Sequence, residues 1–377
     1  MNSLYDIIGI PFGYLMYLIY SLCHNYALAI IIFTVVTKLL LFPVNYHTQK
    51  GSARMQLLNP KMEKLRKSFA SNPQRLQEEQ QKLYQQEGIN PMGSCLPAFV
   101  QMFLLFGVID VVYKPITHIL RISKNVRRAA FDIAVGLSGD SAYDFKSLRS
   151  ELVTMEQLDK HADKFSGLAE NFSARVAEFS EHYTIFGANL GKIPELHPET
   201  WNTESIILFC IPFLAGLAQL AQSIYSQVYQ KKHNPDMPSG GCMAVMMYLM
   251  PILSVVWAFA LPAGIGFYWI WSSLFSLLIN FGLNQYFTPE RTVKINEKEK
   301  EKARIYAEKH PEKKTFMQRM LEQQAELERQ QNGGSATGKS KASRSETNRQ
   351  NRDKIKEARK RMAEKYGEEY DENDDDD

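Results

Sequence analysis

The sequence predicts an all-α polytopic membrane protein with a charged tail. Residues 7–37, 205–230 and 237–289 contain no Asp, Glu, Lys or Arg. Uncharged apolar runs of 18 or more residues read as membrane spans. Residues 289–377, in contrast, hold 22 of the 44 basic and 21 of the 41 acidic residues. The mean hydropathy of −0.28 over 377 residues would suit soluble domains, but it averages two opposite halves of the composition. A single soluble globule is excluded.

The elements follow in order. Residues 1–22 carry Pro11, Gly13 and several tyrosines, and tyrosine is enriched at membrane interfaces; an amphipathic helix on the outer surface is expected. The first six residues contain Asp6 and no base, which does not match a secretory n-region. Leu22 before Cys23 does not fit a lipoprotein cleavage site, so an uncleaved, unlipidated start is expected. Span one is placed at 23–46. Its run Ala27 to Val44 covers about 27 Å at 1.5 Å per residue, close to a bilayer core.

Residues 47–91 are polar. Met55, Leu58, Met62, Leu65 and Phe69 recur at alternating steps of three and four, a one-sided helical stripe. Asn72-Pro73 breaks it, and Leu76 and Leu83 begin a second stripe, which predicts a cytoplasmic helical hairpin. Span two is 92–115, with Gln101 inside and Asp110 near its end. Residues 116–203 form a polar outer insertion, helical in pattern from Leu152 to Phe179. Span three is 204–229 and a short loop fills 230–242. The uncharged block that follows is too long for one crossing, and Leu261-Pro262-Ala263-Gly264 divides it into span four (243–262) and span five (263–288). The tail, 289–377, is expected to be helical at first and then partly disordered. Residues 338–365 hold 11 bases against 4 acids, and 366–377 hold 8 acids and no base.

Orientation follows Lys and Arg near the span ends. Lys50, Arg54, Lys61, Lys64, Arg66, Lys67, Arg75 and Lys82 mark the hairpin, Lys231 and Lys232 the short loop, and Arg291, Lys294 and Lys298 the tail. These segments are expected in the cytoplasm and the N-terminus outside. Arg121, Lys124, Arg127 and Arg128 oppose this, but long loops translocate largely regardless of charge.

The motifs exclude familiar chemistry. There is no Walker loop, HExxH, GxGxxG or nucleophile elbow. Cys23, Cys95, Cys210 and Cys242 are far apart, with no CxxC and no Cys/His set at zinc spacing; they read as small buried hydrophobes. No enzyme, cofactor or metal is expected, and nothing points to DNA. The residue that stands out is Lys38, about two-thirds along span one without an acidic neighbour in that helix. A charge deep in a span costs at least about 2.5–3.5 kcal/mol, and so faces protein or water. Snorkelling toward the headgroups fits the sequence equally well. Thr34, one turn earlier, shares its face. Gln101, Gln219, Gln222, Ser272, Ser273, Ser276 and Asn280 are further intramembrane polar groups. They suit hydrogen-bond glue between helices or the lining of one hydrated cavity. A small-solute transporter is the rival reading, but the halves show no repeat.

The run Ile-Ile-Ile-Phe-Thr-Val-Val-Thr-Lys-Leu-Leu-Leu-Phe-Pro (30–43) resembles the first core span of the YidC/Oxa/Alb membrane protein insertases, with Lys38 at the position of the family's groove arginine. Asn-Pro-Met-Gly-Ser-Cys-Leu-Pro-Ala-Phe-Val-Gln-Met (90–102) resembles the second span. Met250-Pro251 and Pro-Ala-Gly-Ile-Gly-Phe-Tyr-Trp-Ile-Trp-Ser-Ser-Leu (262–274) resemble the last two. The likeness is to the short bacterial form, without the large outer domain, and covers residues 1–115 and 185–290. Lysine replaces arginine, keeping charge without the planar fork, and Trp269 stands where a second tyrosine is common.

The resemblance implies a five-span insertase in the bacterial plasma (inner) membrane, with its C-terminus cytoplasmic. Its hydrated, positively charged groove, lined by Lys38, Thr34, Gln101, Tyr268, Trp269 and Ser272, would pass substrate segments into lipid with or without the Sec translocon. The exit is expected along spans one and three. Implied partners are nascent membrane proteins, the ribosome through the hairpin and basic tail, the Sec translocon and the lipid bilayer. For the tail, contact with anionic lipid is an equal alternative.

Overall fold

The computed structural model describes residues 4–89, 96–139, 144–233 and 242–309. The start of the second family motif, the loop 234–241 and the tail beyond Lys309 lie outside the described residues. The architecture is all-α and polytopic. A helix stands at each expected span: α2 (Tyr26–Leu40), α6 (Leu96–Tyr113), α11 (Thr203–His233), α12 (Cys242–Ala258) and α13 (Ala263–Tyr286). Among the described residues, α11 and α13 are long and apolar enough to cross a bilayer unaided. Helix α2 has 15 residues, about 22 Å, less than the roughly 30 Å hydrocarbon core. It continues after a 54° bend into α3 (Phe42–Leu57). Pro43 in the first turn of α3 explains the bend, since its ring blocks continuous helical bonding.

Helix α1 (Leu4–Cys23) packs lengthwise on α6 and α2. Met16 and Ile19 are buried, while Ile10, Tyr14, Leu18 and Leu22 are exposed at steps of four. The outward face from Ile10 to Leu22 is therefore apolar. Gly9 lies directly against Asp110, and Gly107 against the Phe12 ring. Any side chain at either position would separate the two helices.

The polar segment after α3 forms α4 (Asn59–Ser68) and α5 (Pro73–Gln86), packed on each other across a short turn. Asn72 caps α5 by accepting from the Arg75 N–H. Leu58, Met62 and Ile89 are buried there, with Met55, Leu65, Leu83 and Tyr84 against them. One of the hairpin's two expected helices is split, because the run before Leu58 continues the first span as α3.

The insertion folds into the short helix α7 (Pro115–His118), then α8 (Lys124–Ser138), α9 (Ser150–Lys160), a 3₁₀ turn (Ala162–Phe165) and α10 (Phe172–His182). An unforeseen β-hairpin follows, β1 (Thr184–Ile185) antiparallel to β2 (Ala188–Asn189). Phe165, Phe172, Val176, Phe179 and Tyr183 give the insertion a buried aromatic core continuous with that of the spans. Helix α14 (Pro289–Lys309) follows α13 at the end of the bundle that carries the α4–α5 hairpin.

Candidate functional site

Within the bundle, α13 is the central element. It packs on α2 and on α11, with smaller contacts to α6, α12 and α3. Its Tyr268, Ser272, Ser276, Asn280 and Asn284 recur at steps of four, a slanting polar stripe along an otherwise apolar helix. Tyr268, Ser272 and Asn284 are buried.

Lys38 meets this stripe from α2. It is 7% exposed, and its Nζ donates to the Ser276 Oγ at 2.7 Å. Among the described residues no carboxylate faces it. Its ammonium thus points inward to α13 and not along the lipid to the headgroups. Thr34, fully buried, donates its hydroxyl to the Ile30 carbonyl at 2.7 Å, and Thr37 to that of Phe33 at 2.8 Å. Both hydroxyls are satisfied within α2 and leave the Lys38 ammonium as the polar group presented across the interface.

One to two turns along α13, the Tyr268 hydroxyl faces Gln101 of α6 and Ser272 without a closed hydrogen bond. Gln101 is half-buried. Trp269 is half-buried and packs against the apolar core, away from this polar line. Five of the six expected residues therefore sit on the two adjoining stripes of α2 and α13 or, for Gln101, across from them. Ser276 is the contact that sequence reading did not single out; the four-residue step along α13 was its signal. Toward the hairpin end the stripe ends in a second cluster. Gln49 of α3 donates to the Asn284 side chain, and Asn284 donates to the Tyr225 hydroxyl of α11 at 3.1 Å.

Below that cluster, Arg54 is 8% exposed. Its Nε donates to Asn296 Oδ1 at 2.8 Å and its Nη2 to the Glu87 carbonyl at 3.0 Å. Lys50 pairs with Glu299 at 2.8 Å. The Glu87 carboxylate pairs with Lys61 at 2.6 Å and with Lys300. Burial pushes that carboxyl up, but the bonds and charge of Lys300 and Lys61 outweigh it and hold it below the ordinary range. The Lys50 hydrogen bond likewise lowers Glu299. Helix α14 is thereby fastened to α3 and to the foot of the hairpin.

At the opposite end, Asp110 of α6 is fully buried. It pairs with Lys114 at 2.7 Å and with His118 at 2.7 Å, which compensates its burial. Among the described residues no group of three or more His, Cys, Asp or Glu is placed to hold a metal ion.

The apolar helices thus pack about a polar seam that holds Lys38, which among the described residues faces no carboxylate. The family described as 60Kd inner membrane protein matches residues 18–290. A membrane protein insertase YidC of Pelodictyon phaeoclathratiforme is 27% identical over 273 residues, 72% of this chain and 35% of that protein. One from Chloroherpeton thalassium is 25% identical over 300 residues, 78% of this chain and 39% of that protein. One from Clostridium tetani is 26% identical over 236 residues, 62% of this chain and 96% of that protein. The chain spans about a third of the length of the first two relatives, and almost all of the third. The chain belongs to the 60Kd inner membrane protein family, the YidC/Oxa/Alb membrane insertases.

Proposed function

We propose that this protein receives polar segments of nascent membrane proteins in a groove between α2, α6, α11 and α13, and releases their apolar segments into lipid. The observation that carries this reading is Lys38: a buried cation whose partner is a neutral serine 2.7 Å away. A structural lysine in a span is ordinarily matched to a carboxylate or led to the headgroups. This one keeps its charge uncompensated toward the polar stripe of α13. In a low-dielectric wall that charge attracts acidic and polar groups of a passing segment. Gln101, Tyr268 and Ser272 supply further hydrogen-bonding groups on the same line, and no nucleotide or cofactor takes part.

The exit proposed is on the side of α6 and α12. Phe99, Met102 and Phe103 of α6 and Met250, Ile252 and Val256 of α12 are exposed. Helix α12 packs chiefly on α11, and α6 chiefly on α1. The hairpin and basic tail suit ribosome contact and the apolar flanks suit the Sec translocon, in the plasma membrane with the hairpin cytoplasmic.

The test is depletion of the protein followed by protease mapping of newly made single-span proteins. Their translocated segments should stay inaccessible from outside and recover on re-expression. Unchanged mapping after depletion refutes the reading; accumulation or loss of a small solute instead would favour a transporter.

A further inference from the structure

We propose that the outer insertion supplies the seal of the groove, through the segment from Tyr183 to Lys192. The inference rests on the groove reading above and adds that the groove is closed at the end where α2, α11 and α13 begin and α6 ends. Tyr183, Ala188 and Leu190 are completely buried, although they belong to a polar loop outside the spans. The segment touches four spans at once. The Tyr183 ring lies 4.5 Å from that of Tyr26 at the start of α2. Its hydroxyl donates to the Val112 carbonyl near the end of α6 at 2.9 Å. The N–H groups of Ala263 and Gly264, which open α13, donate to the Lys192 and Leu190 carbonyls at 2.9 and 2.8 Å. Glu204 in the first turn of α11 accepts from the Asn189 N–H at 3.2 Å and pairs with Lys192 at 2.8 Å.

This arrangement solves a specific problem. The first N–H groups of a helix have no partners within it and otherwise take water. At α13 two of them are satisfied by backbone carbonyls of the insertion, so the end of the central helix needs no water there. The β-turn makes the geometry: Phe186 and Gly187 both have positive φ, at 49° and 83°, the hand that two-residue hairpins favour. The chain therefore reverses tightly and returns Leu190 under Tyr183, whose carbonyl accepts from the Leu190 N–H at 3.0 Å. Two glycines permit the close fit. A Cβ on Gly191 would lie 2.7 Å from the Tyr183 ring, and one on Gly264 would lie 3.2 Å from Val112 and 3.3 Å from the Leu190 carbonyl oxygen.

The test uses the full-length protein without its natural cysteines, in vesicles of defined orientation. Single reporters are Ile265→Cys, directly beneath the segment, and Ser276→Cys, in the polar stripe. In the parent, an impermeant maleimide should react with position 276 from the hairpin side and leave 265 silent from the insertion side. Tyr183→Ala combined with Leu190→Ala should make 265 reactive from the insertion side and raise the proton leak of the vesicles several-fold. Should that variant fail to fold, Gly191→Ala, which displaces the ring without removing it, should produce the same two changes. An unchanged leak, with or without exposure of position 265, overturns the proposal, because the spans alone then hold the barrier. A silent position 276 in the parent refutes the groove itself and is read separately from the leak.

Discussion

Replacing Lys38 tests the site most directly. The ammonium is buried, has a serine as its partner at 2.7 Å and faces the polar stripe of α13. If it acts by its field, charge matters more than shape. A lysine and a substrate carboxylate about 8 Å apart, at an effective dielectric near 20, attract by about 2 kcal/mol, a factor of about 30. Lys38→Ala should therefore slow insertion of substrates with acidic translocated segments by up to about 30-fold per molecule of insertase. Substrates with neutral segments should be affected much less. Lys38→Arg should retain activity, since it keeps charge on a long stem, and Lys38→Glu should be worse than alanine. The alanine protein should still accumulate: losing the bond to Ser276 costs about 1.5–3 kcal/mol, while removing an intramembrane charge saves about 2.5–3.5 kcal/mol. The assay is protease protection of acidic and neutral substrates, normalised to insertase abundance. Normal activity of the alanine protein on that scale removes Lys38 from the mechanism.

Three further outcomes are expected. Arg54→Ala removes the charge-assisted bond to Asn296 of α14 and should weaken its docking by about 1.5–3 kcal/mol, roughly 10- to 150-fold; hydrogen exchange across residues 289–303 should rise accordingly, and unchanged protection would mean that the Lys50–Glu299 and Glu87–Lys300 pairs hold α14 without it. The same docking should depend on pH in a defined direction: Glu87 and Glu299 are held below the ordinary carboxylate range, so their contribution is complete above that range and is lost as pH falls through the lowered values. Protection of α14 that already fails between pH 7 and 5 would contradict this. Removing residues 339–377 should weaken ribosome co-sedimentation at low salt, with the difference vanishing at high salt, while short substrates supplied after synthesis still insert; unchanged low-salt co-sedimentation would leave the tail to lipid.

The sequence by itself determined the class, all-α and polytopic, and the identity of the one charged residue in the first span. These are local properties: an uncharged run, a proline such as Pro43 and a stripe repeating every three or four residues act through their own helix. The packing of α4 on α5 left a trace of the same kind, in Met62 and Leu65 of α4 and Leu83 of α5. Even the partner of Lys38 left a trace, since Ser272, Ser276 and Asn280 were visible as polar groups in span five. What only the tertiary structure decided are contacts between residues remote in the chain. Which serine accepts from Lys38 depends on how α2 and α13 are rotated about their axes, and hydropathy does not encode rotation. That α1 lies on α6 follows from the missing side chains at Gly9 and Gly107, which matter only once a neighbour is close. Arg54 joins Asn296 and Glu87 from two distant segments, so its burial could not be read from its own polar surroundings. The Tyr183–Lys192 segment reads as a polar loop with two short strands hidden in it. Its burial arises because the start of α13 and the end of α6 offer backbone groups there, beside the Tyr26 ring of α2 and the Glu204 carboxylate of α11, and it pairs with all of them.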